Sequence, residues 1–350
     1  MKIDSKIKQR YLDFWERKPT DRACLYITSW DGTPFPAPVS LEQKWEDTDY
    51  REKFAAHCSQ HTKYYAEAFP TIFTNFGPGS LAACIGGDYR LEEHTVWFES
   101  NPPFITDWDN RPSLTLDRNS KMYRMTEELI GKMLTHKDEF FTSLCDIGGT
   151  FDIIAALRGT ENLLYDMYDY PDEVKAFRDE LAPIWKQYFL EQAAKTMNAQ
   201  GGVTSWMSIW SDKTYYPLQC DYSAMLSPAM FKEFILPDLK EQTEYMDRSI
   251  YHLDGMGEIP HLDMLLSLPR LNAIQWTSGA GKPPITDPCW FDMYRKIQDA
   301  GKGIVLLDVA PEGLEELFKN VSQKGMYVST YVSDEKQANE LIEMATKLNF

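Results

Sequence analysis

The sequence predicts a single (β/α)8 barrel of the TIM type, with an insertion between its second and third units, and three observations carry that expectation. Eight short β-rich runs recur along the 350 residues, most of them followed by a longer amphipathic stretch, as repeated βα units require. No Pro- or Gly-rich linker, low-complexity tract or internal repeat divides the chain, so residues 1–350 read as one domain of a size that such barrels commonly fill. No Gly-rich GxGxxG turn follows the first run, which removes the main rival, an open doubly wound sheet.

Taken in order, strands are expected at residues 25–30, 71–76, 141–147, 203–210, 249–254, 271–276, 304–309 and 326–331. Helices are expected at 51–69, 172–198, 227–247, 259–267, 291–300, 312–323 and 334–348. Tyr170-Pro171 introduces the second of these with acids in its first turn, and Ser227-Pro228 offers the third a capping hydroxyl before a proline. Gly301 and Gly325 follow two others, where a left-handed C-terminal cap is wanted. Gly77-Pro78-Gly79 is too short for a phosphate loop and reads as a tight turn. It opens the insertion, residues 77–122, whose β-rich stretches at 91–98 and 113–116 are expected to form a hairpin over the barrel mouth.

Hydrophobic residues make up 43% of the chain and charged residues 25%, enough for a large core and incompatible with global disorder. Lys and Arg total 36 against 53 Asp and Glu, a net charge of −17 that repels nucleic acid and anionic membrane surfaces. Residues 1–10 are polar, without the apolar centre of a signal peptide, and no stretch is long and apolar enough to span a bilayer. The six cysteines are scattered with no CxxC pair, which in a chain of this length points to free thiols and a cytoplasmic location.

Reacting groups in a barrel sit where strands end and loops begin. The expected strand ends offer Trp30, Asp31, Phe76, Asp146, Trp210, His252, Asp254, Gln275, Trp276, Asp308 and Tyr331, and the loop before residue 227 adds Asp221 and Tyr222. The sharpest local feature is Tyr251-His252-Leu253-Asp254-Gly255. His252 and Asp254 lie two apart on a strand, so both side chains point the same way, as a metal pair or an oriented acid/base pair requires. The plainer alternative has Asp254 capping a loop and His252 bonded inside the barrel. Trp30, Phe76, Trp206, Trp210, Trp276 and Tyr331 offer walls for a flat ring or a cage for a quaternary ammonium, with ordinary packing as the competing explanation. Asp152 and Arg158 read as a bracing ion pair. No Gly-x-Ser-x-Gly elbow is present, and Cys220 has no His near it in sequence.

At these residues the chain resembles the uroporphyrinogen decarboxylase superfamily, which also holds corrinoid-linked and cobalamin-independent methyltransferases. The resemblance is carried by DYSAMLSPAMFKEFILP at 221–237, and supported by 251–255, 271–276 and 327–331. It implies the same (β/α)8 fold. The decarboxylases grip their porphyrinogen with an arginine-rich motif near the first strand, whereas residues 27–35 here contain no arginine. The methyltransferases bind zinc through a His-x-Cys pair and a final Cys; here His252 matches, Asp254 replaces the paired thiolate, and Gln275 and Tyr331 fall at the other ligand positions. A His/carboxylate site is harder and suits an oxygen-bearing substrate better than a thiol.

The resemblance therefore implies a corrinoid-linked methyltransferase that demethylates a small substrate, with His252, Asp254 and Asp221 catalytic. His252 and Asp254 would hold zinc or another divalent metal. Tyr222, Gln275 and Tyr331 would position the substrate between Trp210, Trp276 and Phe76. The corrinoid would come on a partner protein, and a homodimer is implied by the family. Two alternatives stand beside it: a metal-free decarboxylase or other lyase acting on a small acid through Asp221 or His252, and a non-catalytic barrel that only binds a ligand.

Overall fold

The structure, a computed structural model, describes residues 3–349 and is a mixed α/β fold on a mostly parallel sheet. In chain order the strands are β1 (Cys24–Trp30), β2 (Thr62–Ala66), β3 (Thr71–Ile72), β4 (Tyr89–Leu91), β5 (Val96–Phe98), β6 (Phe141–Thr142), β7 (Tyr215–Leu218), β8 (Arg248–Asp254), β9 (Ala273–Thr277), β10 (Gly303–Val309) and β11 (Met326–Tyr331). Seven of them form one sheet in the order β2-β1-β11-β10-β9-β8-β7. All its pairings are parallel except β2, which runs antiparallel to β1. β3 and β6 make a short parallel pair, and β4 and β5 an antiparallel hairpin. Because β1 and β7–β11 run the same way, their C-terminal ends share one edge, and the loops that follow them meet there.

Five expected strands fall on β1, β8, β9, β10 and β11. Those expected at 71–76 and 141–147 shorten to two residues each, because side chains replace the ladder beyond them. The Thr74 N–H donates to Ser143 Oγ at 3.0 Å, and Thr74 Oγ1 donates to the Ser143 carbonyl at 2.9 Å. The stretch 203–210 is not a strand. It reverses through Ser208, whose φ is 57°, and returns so that Val203 and Ser211 exchange two backbone bonds of 2.9 Å. The strand that follows, β7, contains Pro217, a residue that argues against strand in a sequence reading. The helix expected at 51–69 ends at His61, after which the β-branched and aromatic run Thr62–Ala66 pairs with β1. No strand forms at 113–116.

The helix expected at 227–247 is interrupted by one π turn, Phe231–Ile235, between Pro228–Met230 and Leu236–Tyr245. Pro237 has no N–H to donate to the carbonyl four residues back, so the chain widens there. The turn carries Phe231, whose ring stacks on His261 at 4.3 Å and 8°. The insertion does carry a hairpin, β4–β5, but it turns inside the stretch 91–98 instead of pairing that stretch with 113–116. It sits tightly on Gly77, where a Cβ would lie 2.7 Å from the Val96 carbonyl oxygen and φ is +82°.

At the opposite edge the helix Ser5–Trp15 covers the strand starts. Trp15 packs on Tyr215 at 5.1 Å, and Phe14 on Tyr327 at 6.0 Å. The seven-stranded sheet and the β3–β6 pair are joined by scattered bonds. The Tyr26 hydroxyl donates to the Phe69 carbonyl at 3.0 Å, just before β3, and the Ile147 N–H, just after β6, to the Tyr216 hydroxyl at 2.6 Å. Among the described residues no helix is long and apolar enough to cross a membrane.

Candidate functional site

The last three residues of β8 set the site. Alternation turns His252 and Asp254 to one face, and their register partners on β9 are Gln275 and Thr277. His252 Nδ1 hydrogen-bonds Gln275 Oε1, and Gln275 Nε2 donates to Thr277 Oγ1 at 2.9 Å. With the Gln275 amide oxygen facing the ring, His252 Nδ1 is the donor of this bond, which leaves Nε2 as the ring nitrogen free for another partner. The edge of Trp206 closes one side of the imidazole at 5.2 Å and 86°.

Asp221 comes from the single-turn helix Asp221–Met225 after β7. One ligand atom from each of Asp221, His252 and Asp254 lies within 4.8 Å of the other two. The three residues expected to be catalytic thus converge, and they present a nitrogen and two carboxylates at the spacing of a divalent-cation site. The donor set fits zinc or another borderline-to-hard metal. Cys220 is not part of this group; it is buried, and burial followed by the charge of Asp152 holds its thiol well above its ordinary pKa.

Further carboxyl groups crowd the triad. Burial, then the neighbouring Asp221 charge, lifts Asp152 to about 7. Its Oδ1 accepts the Tyr222 N–H at 2.8 Å, while its shielded Oδ2 has no partner. Glu258 is wholly buried and is raised to about 9 by desolvation, then by Asp221 and Asp152. Its Oε2 accepts from the Tyr251 hydroxyl at 3.2 Å and the Asp254 N–H at 3.3 Å. Asp146 rises to about 6 by burial, opposed by the Gly148 N–H. Asp221 is raised by desolvation, which outweighs the opposing His252, with Asp254 adding to the rise.

Two cavities open beside these groups. One of about 390 Å³ is lined by Asp152, Asp221, Tyr222 and Met225 and is covered by Trp97 and Phe98 of the hairpin. The other, about 200 Å³, is lined by Trp206, Asp308, Ser329 and Tyr331 among others. Asp221 connects the triad to the first, and Trp206 connects it to the second. Neither lining contains a Lys or Arg. Asp308 reaches its cavity through an irregularity of β10 between Leu306 and Val309, with φ of 53° and its N–H donated to Ser329 Oγ at 2.9 Å.

Among the expected substrate residues, Tyr222 and Tyr331 line these cavities and Gln275 holds the imidazole. Three others lie elsewhere. Trp276 alternates to the outer face of β9 and packs on Trp290 at 5.1 Å. Phe76 is buried beneath the Arg51 guanidinium at 4.2 Å. Trp210 follows the chain reversal back to the strand starts, where its carbonyl accepts from Trp15 Nε1 at 2.9 Å. Arg158 pairs with Asp166 through bonds of 2.6 and 3.2 Å, so the expected brace to Asp152 is absent and that carboxyl is left to the cavity. Asp31 is tied to His61 at 3.0 Å, the bond that chiefly draws it down to about 2. Glu258 escaped the sequence reading; its only signal is a lone acid four residues beyond Asp254. No protein-family model, curated protein or solved structure matches this chain, so the chemistry of the site rests on its own geometry.

Proposed function

We propose that this chain is a metal-assisted methyltransferase that demethylates a small substrate at the mouth of a closed (β/α)8 barrel and works with a corrinoid-carrying partner protein in the cytoplasm. The observation that carries the reading is the convergence of Asp221, His252 and Asp254 at the C-terminal ends of parallel strands. Eight staves in chain order, β1, β3, β6 and β7–β11, support the barrel, with β2 inserted on the free edge of β1 and bonds at Phe69 and Tyr216 reaching across on either side of the short β3–β6 pair. The six free cysteines are in keeping with a reducing compartment.

Asp221, His252 and Asp254 would hold the divalent ion, which supplies Lewis-acid polarisation of the methyl-bearing oxygen or nitrogen. Gln275 fixes the imidazole tautomer so that Nε2 is the donor atom. Asp152, unpartnered at Oδ2 and lining the larger cavity, is placed to give a proton to the departing heteroatom as its bond to the methyl group breaks. Tyr222 and Tyr331 bound the substrate on either side, and the hairpin excludes water above it. An apolar rim supports docking of a partner that brings the methyl acceptor. Trp30, Trp97, Met225, Met256 and Tyr331 are large hydrophobic side chains exposed on the strand-end loops and the hairpin.

Protein purified without chelators should carry about one divalent ion per chain by elemental mass spectrometry. The His252→Ala/Asp254→Ala double variant should lose both that ion and methyl transfer from methyl ethers or methylammonium compounds to a Co(I) corrinoid protein. Methyl transfer untouched in the double variant would sink the reading. A metal-free lyase is favoured instead by Asp152, which lines the cavity with Oδ2 unpartnered and is raised by burial to about 7, where it can give or take a proton near neutrality. Deuterium uptake at a substrate carbon by metal-free protein in D2O would select it.

A further inference from the structure

A third cavity, about 540 Å³, lies beside the ends of β1 and β3 and shares no lining residue with the two described above. Its walls come from the helix Thr48–His61, the segment just after β3, Met133 and the loop 35–38. They are largely apolar, with Phe35, Phe54, Ile72 and Met133 prominent. In a chain of net charge −17, this lining contains two cations, Lys44 and Arg51, and no acid.

Arg51 is 8% exposed. Its Nη1 donates to the Trp45 carbonyl at 2.9 Å, its Nη2 to the Asn75 carbonyl, and its plane lies over Phe76. Among the described residues no carboxylate comes within ion-pair distance of it. Burial draws its pKa down to about 9, still above neutrality, so the guanidinium keeps its charge. A buried cation held only by dipoles and a ring is short of the countercharge that buried ions normally have. Lys44 also lines the cavity; its Nζ donates to the Glu93 carbonyl and lies 5.5 Å from the Trp45 ring centre.

We propose that this cavity binds a small organic monocarboxylate with an apolar body, the carboxylate at Arg51 and Lys44 and the hydrocarbon against Phe35, Phe54, Ile72 and Met133. The volume lies in the range of small-molecule sites, and a guanidinium is matched to a carboxylate in geometry as well as charge. The largely apolar walls disfavour a phosphate, whose additional charge would go unpaired.

The full-length protein should be titrated calorimetrically with octanoate and 3-phenylpropionate, and in parallel with octanamide and 3-phenylpropanamide. At least one acid is expected to bind, and at least tenfold more tightly than its amide. Arg51→Met should abolish binding. Because that change also removes two bonds to backbone carbonyls, Cys58→Phe serves as the second variant: it puts a ring into the cavity from a half-buried wall position and leaves Arg51 in place. It too should lose at least tenfold in affinity while its circular dichroism stays that of the parent. His252→Ala should bind the acid as the parent does, separating this cavity from the mouth. Amides binding as well as acids, full affinity in Cys58→Phe, loss of binding in His252→Ala, or no binding by either acid would each overturn the proposal.

Discussion

Gln275 shows how one neutral side chain decides what its neighbour can do. Its amide oxygen takes the proton on His252 Nδ1, and its amide nitrogen is spent on Thr277, so the imidazole has one orientation and one free lone pair. Gln275→Leu removes that constraint without touching a donor atom. Metal affinity, measured by competition with a chelator, should fall by about 10- to 100-fold, as for other partners of ligating histidines. Asp238 tests a different electrostatic effect far from the triad. It is buried, Oδ1 has no partner, and desolvation, against the opposing Arg178, lifts it to about 7. A carboxyl whose folded pKa exceeds its unfolded value binds its proton more tightly when folded, so it favours the fold at low pH. That advantage is lost as pH rises from about 4 through about 7. Asp238→Asn should therefore be more stable than the parent at pH 8, by about 1–2 kcal/mol in urea denaturation, and should show a flatter pH dependence across that window. At this scale the sequence was most informative about polar residues on strands. Alternation places His252 beside Asp254, and a loop acid near a strand end is a natural third member. It was least informative about tryptophans, because Trp210 and Trp276 depend on a chain reversal and on which strand face is inward.

The hairpin β4–β5 is the element on which closure of the larger cavity depends. It rests on Gly77, whose positive φ and near contact with the Val96 backbone leave no room for a side chain. Gly77→Ala should cost about 2 kcal/mol in thermal or chemical denaturation, and it should weaken substrate binding more than metal binding, since Trp97 and Phe98 move with the hairpin. That the insertion carries a hairpin was legible in the sequence, but not its strands: the turn falls inside the stretch 91–98 that was expected as one strand, and 113–116 does not take part. β2 and β7 were not legible. β2 continues a helix without a proline or glycine to stop it, and β7 holds Pro217 within a parallel pair. In β7 the tertiary pairing outweighs the local preference, whereas in β2 the run Thr62–Ala66 favours a strand and only the stop signal after the helix is lacking. The π turn at Phe231–Ile235 is the intermediate case: Pro237 announces a defect, but whether the chain kinks, stops or widens is settled by packing such as Phe231 on His261.

Across the whole molecule the two edges of the sheet have different tasks. The C-terminal edge gathers carboxyl groups with raised pKa values, left-handed residues such as Asp308 and Ser208, and exposed aromatic side chains. The N-terminal edge is covered by Ser5–Trp15 and is filled by rings: Trp15 on Tyr215, Phe14 on Tyr327, and Arg248 over Trp15 at 5.1 Å. Trp15 also anchors the returning segment through its bond to Trp210. Removing its ring should leave a cavity under the sheet and an unpaired Trp210 carbonyl, at a cost of about 3–5 kcal/mol by denaturant titration. The proposed metal triad is built from the far ends of β8 and the β7 loop, neither of which touches that ring, so Trp15→Ala should keep the metal stoichiometry of the parent at temperatures where it is folded. The His252→Ala/Asp254→Ala variant should do the reverse, losing the metal while its metal-free stability remains close to that of the metal-free parent. If the Trp15 change stripped the metal from folded protein, the two edges would be coupled through the strands, and the division of labour between them would have to be given up.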